Sequence, residues 1–169
     1  NTKFAFKNSP EFARFFGYIL AEGRLATSSQ IWFTNGDREI VEDYISLVKN
    51  LFGKEPLVRE YKQNCWDVII FSEPLKKMLK ELGMASKTEN KEISNIFMEH
   101  SSNEEISNLL NGLYCGDGYV SKDAPVIEIV TKSEKLCHSI ETCLLRLGII
   151  HSVKDIIKGY NDFKGHYKS

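Results

Sequence analysis

The stretch Phe15-Phe16-Gly17-Tyr18-Ile19-Leu20-Ala21-Glu22-Gly23 has a partner 95 positions later, Leu110-Asn111-Gly112-Leu113-Tyr114-Cys115-Gly116-Asp117-Gly118. Each is an apolar helical run with an early glycine, closing on a small residue, an acid and a glycine. Ala13, Gly17 and Ala21 in the first run, and Gly112 and Gly116 in the second, fall on one helix face. Two faces without side chains let helices approach closer than the usual ~8–10 Å between axes. We therefore expect the two helices to pack side by side and to bring Glu22 and Asp117 together. Carboxylates at helix C-termini oppose the helix dipole, and two of them repel each other. A cation offsets both penalties, and hard oxygen donors of this kind suit Mg²⁺, with water and phosphate completing its shell.

Moving outward, Ser9-Pro10-Glu11 starts the first helix with a hydroxyl cap, a proline at the first helical position and an acid near the positive dipole end. Gly23 is expected to end it in the left-handed conformation. Gln30, Trp32 and Thr34 alternate with Ile31 and Phe33, the pattern of a strand with one polar face. The extended pattern runs from Arg24 to Thr34, Thr27-Ser28-Ser29 marks a turn between two strands within it, and Asn35-Gly36-Asp37 closes the second strand and caps a second helix. That helix carries Ile40, Val41, Tyr44, Ile45, Val48 and Leu51 and ends by Gly53. Strands follow around Leu57–Tyr61 and over Cys65–Phe71, and Ser72-Glu73-Pro74 opens a third helix reaching Leu82-Gly83. The order is αββαββα. The polar segment Ser86 to Ser94 reads as a linker, and Ile96–His100 as a short helix. Ser102 and Glu105 form a capping box at the start of the second special helix.

The order then recurs. Ile31–Asn35 aligns with Ile127–Thr131, displaced by 96, as does Leu51 with Leu147; Val58 aligns with Val153 at 95. So steady an offset argues for duplication, with the halves meeting as in a symmetric dimer. We read residues 1–85 as the first repeat, 86–101 as the linker and 102–169 as a second repeat that lacks its last strand and helix. By the repeat arithmetic a full second copy would run on for at least ~15 residues. The fold class expected is α+β, with antiparallel sheets and helices on one side of them.

The bulk composition constrains the function less. The 169 residues can bury a substantial core, with 42% hydrophobic and 27% charged content. No apolar run is long enough to span a bilayer, and the opening residues show no secretory pattern. Cys65, Cys115, Cys137 and Cys143 lack metal spacing and read as reduced apolar residues, consistent with a cytoplasmic protein or one that follows its target into nucleus or organelle. With a net charge of −1, a nucleic-acid binder must segregate its 22 Lys and Arg onto one face.

Phe15–Gly23 and Leu110–Gly118, inside this αββαββα order, resemble the two motifs of the LAGLIDADG homing endonucleases, in the two-motif monomeric form found in inteins and archaeal introns. The resemblance covers nearly the whole chain. It departs from the pattern at Leu20 and Cys115, where an acid is often found. No splicing residues stand at either end, so an endonuclease domain or a free-standing enzyme is expected. The resemblance implies a saddle of antiparallel strands along the major groove of double-stranded DNA, with the acids over the minor groove. It implies Mg²⁺, or Mn²⁺ or Ca²⁺ in its place, held by Glu22, Asp117 and the carbonyls of Ala21 and Gly116, and cleavage of both strands. Asn35 and Thr131, at matching strand ends, are the candidates for surrounding the attacking water. Lys87, with Lys91 behind it, is the candidate lysine after the third helix.

The residues expected to contact DNA are Arg24, Gln30, Trp32, Arg59, Lys62, Gln63, Lys122, Lys132 and Lys154. Arg and Gln can make bidentate contacts to base edges, whereas Lys mostly meets phosphate. Tyr160-Asn161-Asp162, between Gly159 and Gly165, reads as a long turn that could reach flanking DNA. The rival reading is a protein of the same fold that binds DNA or RNA without cutting: a degenerate endonuclease, a maturase or a regulator. Both acids being present favours the enzyme, since a binder gains nothing from two carboxylates beside phosphate.

Overall fold

The computed structural model describes residues 8–26, 28–122 and 124–156, with the backbone of 160–161 and 167–168. The first repeat runs α1 (Pro10–Glu22), β1 (Gly23–Leu25), β2 (Gln30–Asn35), α2 (Arg38–Phe52), β3 (Leu57–Lys62), β4 (Cys65–Phe71) and α3 (Glu73–Glu81). The helices start where local chemistry directs. Ser9 Oγ accepts from Phe12 N, Asp37 caps α2 through Glu39 N and Ile40 N, and Ser72 caps α3 through Leu75 N. Gly53 ends α2 at φ 60°, the left-handed cap. Gly23 does not follow that expectation. Its φ is −80° and ψ 150°, extended, because the chain passes from α1 straight into β1. Glycine is needed there for space: a Cβ would lie 2.3 Å from the Ile19 carbonyl oxygen.

The four strands form one antiparallel sheet in the order β1-β2-β4-β3. Gly23 pairs with Phe33, Arg24 with Trp32, Trp32 with Ile69, and Arg59 with Asp67. This register sends Leu25, Ile31, Phe33, Val68 and Ile70 to the helix side. The other face carries Arg24, Gln30, Trp32, Thr34 and Arg59. Helix α1 lies at the centre of the core: Phe12, Phe15, Phe16, Tyr18, Ile19 and Leu20 are all buried. Phe15 stacks on Tyr44 at 5.4 Å, and Tyr44 on Phe33 at 4.1 Å, tying α1, α2 and the sheet together.

The segment read as a linker is packed. It holds a 3₁₀ turn (Thr88–Asn90) and α4 (Asn95–His100), and buries Ile93 and Phe97. The second repeat supplies α5 (Asn103–Asp117), β5 (Gly118–Val120), β6 (Ile127–Ile129) and α6 (Glu134–Arg146). Its start is the capping box of Ser102 and Glu105. The duplication shows in detail. Gly118, at φ −77° and ψ 150°, repeats the backbone of Gly23, and pairs with Ile129 as Gly23 pairs with Phe33. Asn35 Oδ1 accepts from Asp37 N at 2.7 Å, and Thr131 Oγ1 accepts from Ser133 N at 3.1 Å, each just ahead of a helix.

The second sheet is smaller. Among the described residues it has two strands, and Val153, matched to Val58, lies in irregular chain over residues 151–156. Among the described residues no third strand pairs with this sheet, and Val120 and Ile127 are 67% and 63% exposed. Backbone at β7 (Tyr160–Asn161) pairs antiparallel with β8 (Tyr167–Lys168). Thr27, Gly159, Asp162 and Gly165, which figure in the expected turns, lie outside the described residues.

Candidate metal and nucleic-acid site

Glycines bring the two special helices into backbone contact. A Cβ at Gly17 would lie 2.1 Å from the Leu109 carbonyl oxygen, and one at Gly112 would lie 2.2 Å from that of Arg14. At the C-terminal ends, a Cβ at Gly116 would stand 2.5 Å from Ala21 Cβ and 3.7 Å from Glu22 Cγ. The acids therefore end on one side of a tight helix crossing. Burial, and after it the charge of Asp117, pushes the Glu22 carboxyl above its usual range. Asp117 is more exposed, but the protein around its carboxyl raises it too.

The cation at this crossing belongs to Lys91. Its Nζ donates to the carbonyls of Leu20 at 2.7 Å, Ala21 at 3.3 Å and Gly23 at 3.3 Å. Three donors meet three acceptors at a helix end whose carbonyls lack helical partners. Burial lowers the Lys91 ammonium from its ordinary value, and the charges of Asp117 and Glu22 pull it back up. The same ammonium draws both carboxyls down against their burial. Lys87, the lysine expected in this place, stands exposed at the head of the 3₁₀ turn, where its backbone carbonyl accepts from Asn90 N.

A groove of about 510 Å³ opens beside Asp117, with Lys91, Tyr119, Glu128, Thr131 and Lys132 on its walls. So Asp117, Thr131 and Lys132 of the second half share one groove with Lys91. Asn35 sits at the end of β2 nearest α1's terminus, half-buried, with its Oδ1 engaged in the α2 cap. The donors fit a hard divalent cation: two carboxylates at one crossing, beside the backbones of Gly116 and of Ala21, whose carbonyl also accepts from Lys91. Among the described residues no three His, Cys, Asp or Glu side chains cluster for a metal, so backbone oxygen and water would have to complete any shell.

On the outer sheet face, Arg24 and Arg59 both lie against the Trp32 ring, at 4.6 Å and 4.7 Å. Trp32 Nε1 donates to Gln30 Oε1 at 3.1 Å. Arg59 also pairs with Asp67, which is 3% exposed and accepts from Thr34 Oγ1 at 2.7 Å. Sequence reading missed Asp67. Its signal is one acid inside the apolar run Trp66-Asp67-Val68-Ile69-Ile70, a placement that needs a partner. Lys62 and Gln63 are exposed at the β3–β4 tip, Lys122 at the β5–β6 tip, and Lys154 in the irregular chain beyond α6. No described helix is long and apolar enough to cross a membrane.

The sequence matches the model of the LAGLIDADG-like domain over residues 9–83 and 104–167. It is 25% identical over 168 residues to glutamine–fructose-6-phosphate aminotransferase of Methanocaldococcus jannaschii, covering 98% of this chain and 15% of that protein. It is 29% identical over 156 residues to RecA of Mycobacterium tuberculosis, covering 85% and 19%. It is 30% identical over 144 residues to RNA polymerase subunit Rpo1C of M. jannaschii, covering 82% and 16%. The chain thus spans less than a fifth of the length of these relatives. In structure it is similar to mesophilic variants of the homing endonuclease I-DmoI, with TM-score 0.61 at 14% identity over 84% of this chain and 76% of that one. I-DmoI in complex with DNA and Mn gives 0.60 at 14% identity over 92% and 84%. The N-terminal LAGLIDADG domain of DUF199/WhiA gives 0.54 at 17% identity over 86% and 68%. With both halves matched and the fold shared, the chain belongs to the LAGLIDADG-like domain family.

Proposed function

We propose that the protein is a site-specific double-strand DNA endonuclease of the homing type, hydrolysing phosphodiester bonds at the crossing of α1 and α5. The observation that carries this reading is the pair Glu22 and Asp117, held side by side although burial penalises both. A domain that only bound nucleic acid would be better served by neutral residues there. Glu22, Asp117 and the carbonyls of Ala21 and Gly116 would hold Mg²⁺, with Mn²⁺ or Ca²⁺ fitting the same oxygens. The bound ion would supply Lewis acidity for the attacking water and the leaving 3′ oxygen.

The chain's own residues do the rest. Lys91 holds positive charge at the α1 terminus and draws the acid pair down against its burial. Asn35 at the end of β2 and Thr131 two residues past the end of β6 present polar groups, where a water can be oriented. Lys132 faces phosphate, and the outer sheet face meets the groove. The host range of similar segments supports a mobile element. An aminotransferase, the protein RecA and an RNA polymerase subunit each match this chain over less than a fifth of their own length. The protein acts as a monomer with internal pseudo-symmetry, wherever its target DNA resides.

The test is incubation with Mg²⁺ and a randomised duplex library, followed by sequencing of cut ends. One sequence family cut in both strands is expected. Absence of Mg²⁺-dependent ends, with DNA binding intact, would favour the non-cleaving reading.

A further inference from the structure

Arg24 and Arg59 crowd onto one indole, an arrangement that needs a reason. Two guanidiniums repel, and Trp32 offers each a π face. Asp67 offsets only Arg59, which it holds at 3.1 Å. Among the described residues Arg24 has no carboxylate within ion-pair distance, and it is exposed. Its fork is fixed by the ring and free at its tip.

The groups around it present mainly hydrogen-bond donors. An indole N–H can only donate, so the bond from Trp32 turns the Gln30 oxygen toward the indole and leaves its amide NH₂ for other partners. Among the described residues the carboxylate on this part of the face is Asp67, which is buried and engaged by Arg59 and Thr34. In the major groove guanine presents two acceptors, N7 and O6, whereas adenine and cytosine present an amino donor and thymine one acceptor. A rigid row of donors selects guanine and rejects bases that bring an amino group. The matched row of the second half differs. There Tyr119 pairs with Glu128, whose exposed carboxylate accepts and so disfavours guanine.

We propose that the Arg24–Trp32–Arg59 stack reads guanine, with Arg24 as the base-contacting residue and Asp67 as the residue that positions Arg59. Arg24 lies two residues beyond Glu22, so the guanine falls in the inner part of the half-site under the first repeat, next to the cut. This inference rests on the DNA-cutting reading above.

The test is selection of bound duplexes from a randomised pool in EDTA, for the wild type and Arg24→Lys. Lysine keeps the charge at an exposed position but loses the bidentate fork. For the wild type, guanine should dominate at one or two inner positions of one half-site. Replacing it with adenine should weaken binding roughly 5- to 150-fold. Arg24→Lys should reduce that discrimination to about threefold or less while the salt dependence of binding keeps its slope. A selected site without inner guanine, or discrimination unchanged by Arg24→Lys, overturns this proposal and leaves the endonuclease reading standing. Failure to select any sequence overturns both.

Discussion

An ammonium with three donors meets three carbonyls at the end of α1, where Leu20, Ala21 and Gly23 accept from Lys91. Removing it would orphan those carbonyls and leave two carboxylates without their cation. Lys91→Met should therefore cost about 2–3 kcal/mol in urea denaturation and raise the Glu22 and Asp117 carboxyls further, which NMR titration can follow. The acids carry their own pH signature. A folded-state carboxyl raised above its unfolded value binds protons more tightly in the native form. Its cost to stability is then absent at low pH and fully present above the raised value. For Glu22 the window opens at the ordinary value of 4.5 and extends upward. Glu22→Gln should flatten the fall of stability with pH across that window. In metal-free protein at neutral pH it should raise Tm by about 2 °C; an unchanged slope in thermal scans would count against the crowded-acid description. These residue-scale facts were only partly legible in the sequence. The acids stand at motif positions, but the reach of Lys91 across some seventy residues of chain, out of a segment that reads as polar linker, depends on tertiary packing.

At the scale of elements, the crossing of α1 and α5 leaves no room for a methyl group. A Cβ at Gly17 would meet the Leu109 carbonyl and the Leu113 amide, both backbone, so no side chain can move aside. Gly17→Ala and Gly112→Ala should each destabilise by about 3 kcal/mol or more in chemical denaturation. A cost below about 1 kcal/mol would mean that the helices stand further apart. Caps and stripes of this kind are local, and so the helix starts at Ser9, Asp37, Ser72 and Ser102 could be read from the chain. Gly23 could not. Its conformation is set by β1: the helix hands over to a strand without a left-handed residue, a choice made by the sheet and not by the helix.

At the scale of the whole molecule, two helix–strand–strand–helix units share one register, from the Gly23–Phe33 and Gly118–Ile129 pairs to the turns at Asn35 and Thr131. The steady offset made the duplication legible, because every copied cap and pair shifts together. The smaller second sheet was harder to read, since strand formation over 151–156 requires a neighbouring strand and not only the right residues. On the proposed reading, cations on the outer face and the hairpin tips would make binding a matter of phosphate contacts. DNA affinity should therefore fall by about a thousandfold between 50 and 200 mM salt, measured by fluorescence anisotropy. Salt-independent binding would contradict a DNA-facing sheet. The most direct test of the shared acid pair is a cleavage and binding assay on the selected target, comparing wild type with Glu22→Gln and Asp117→Asn in Mg²⁺. Each variant should hold the target as tightly as the wild type and make no double-strand cut, whereas undiminished cutting by either would contradict the account.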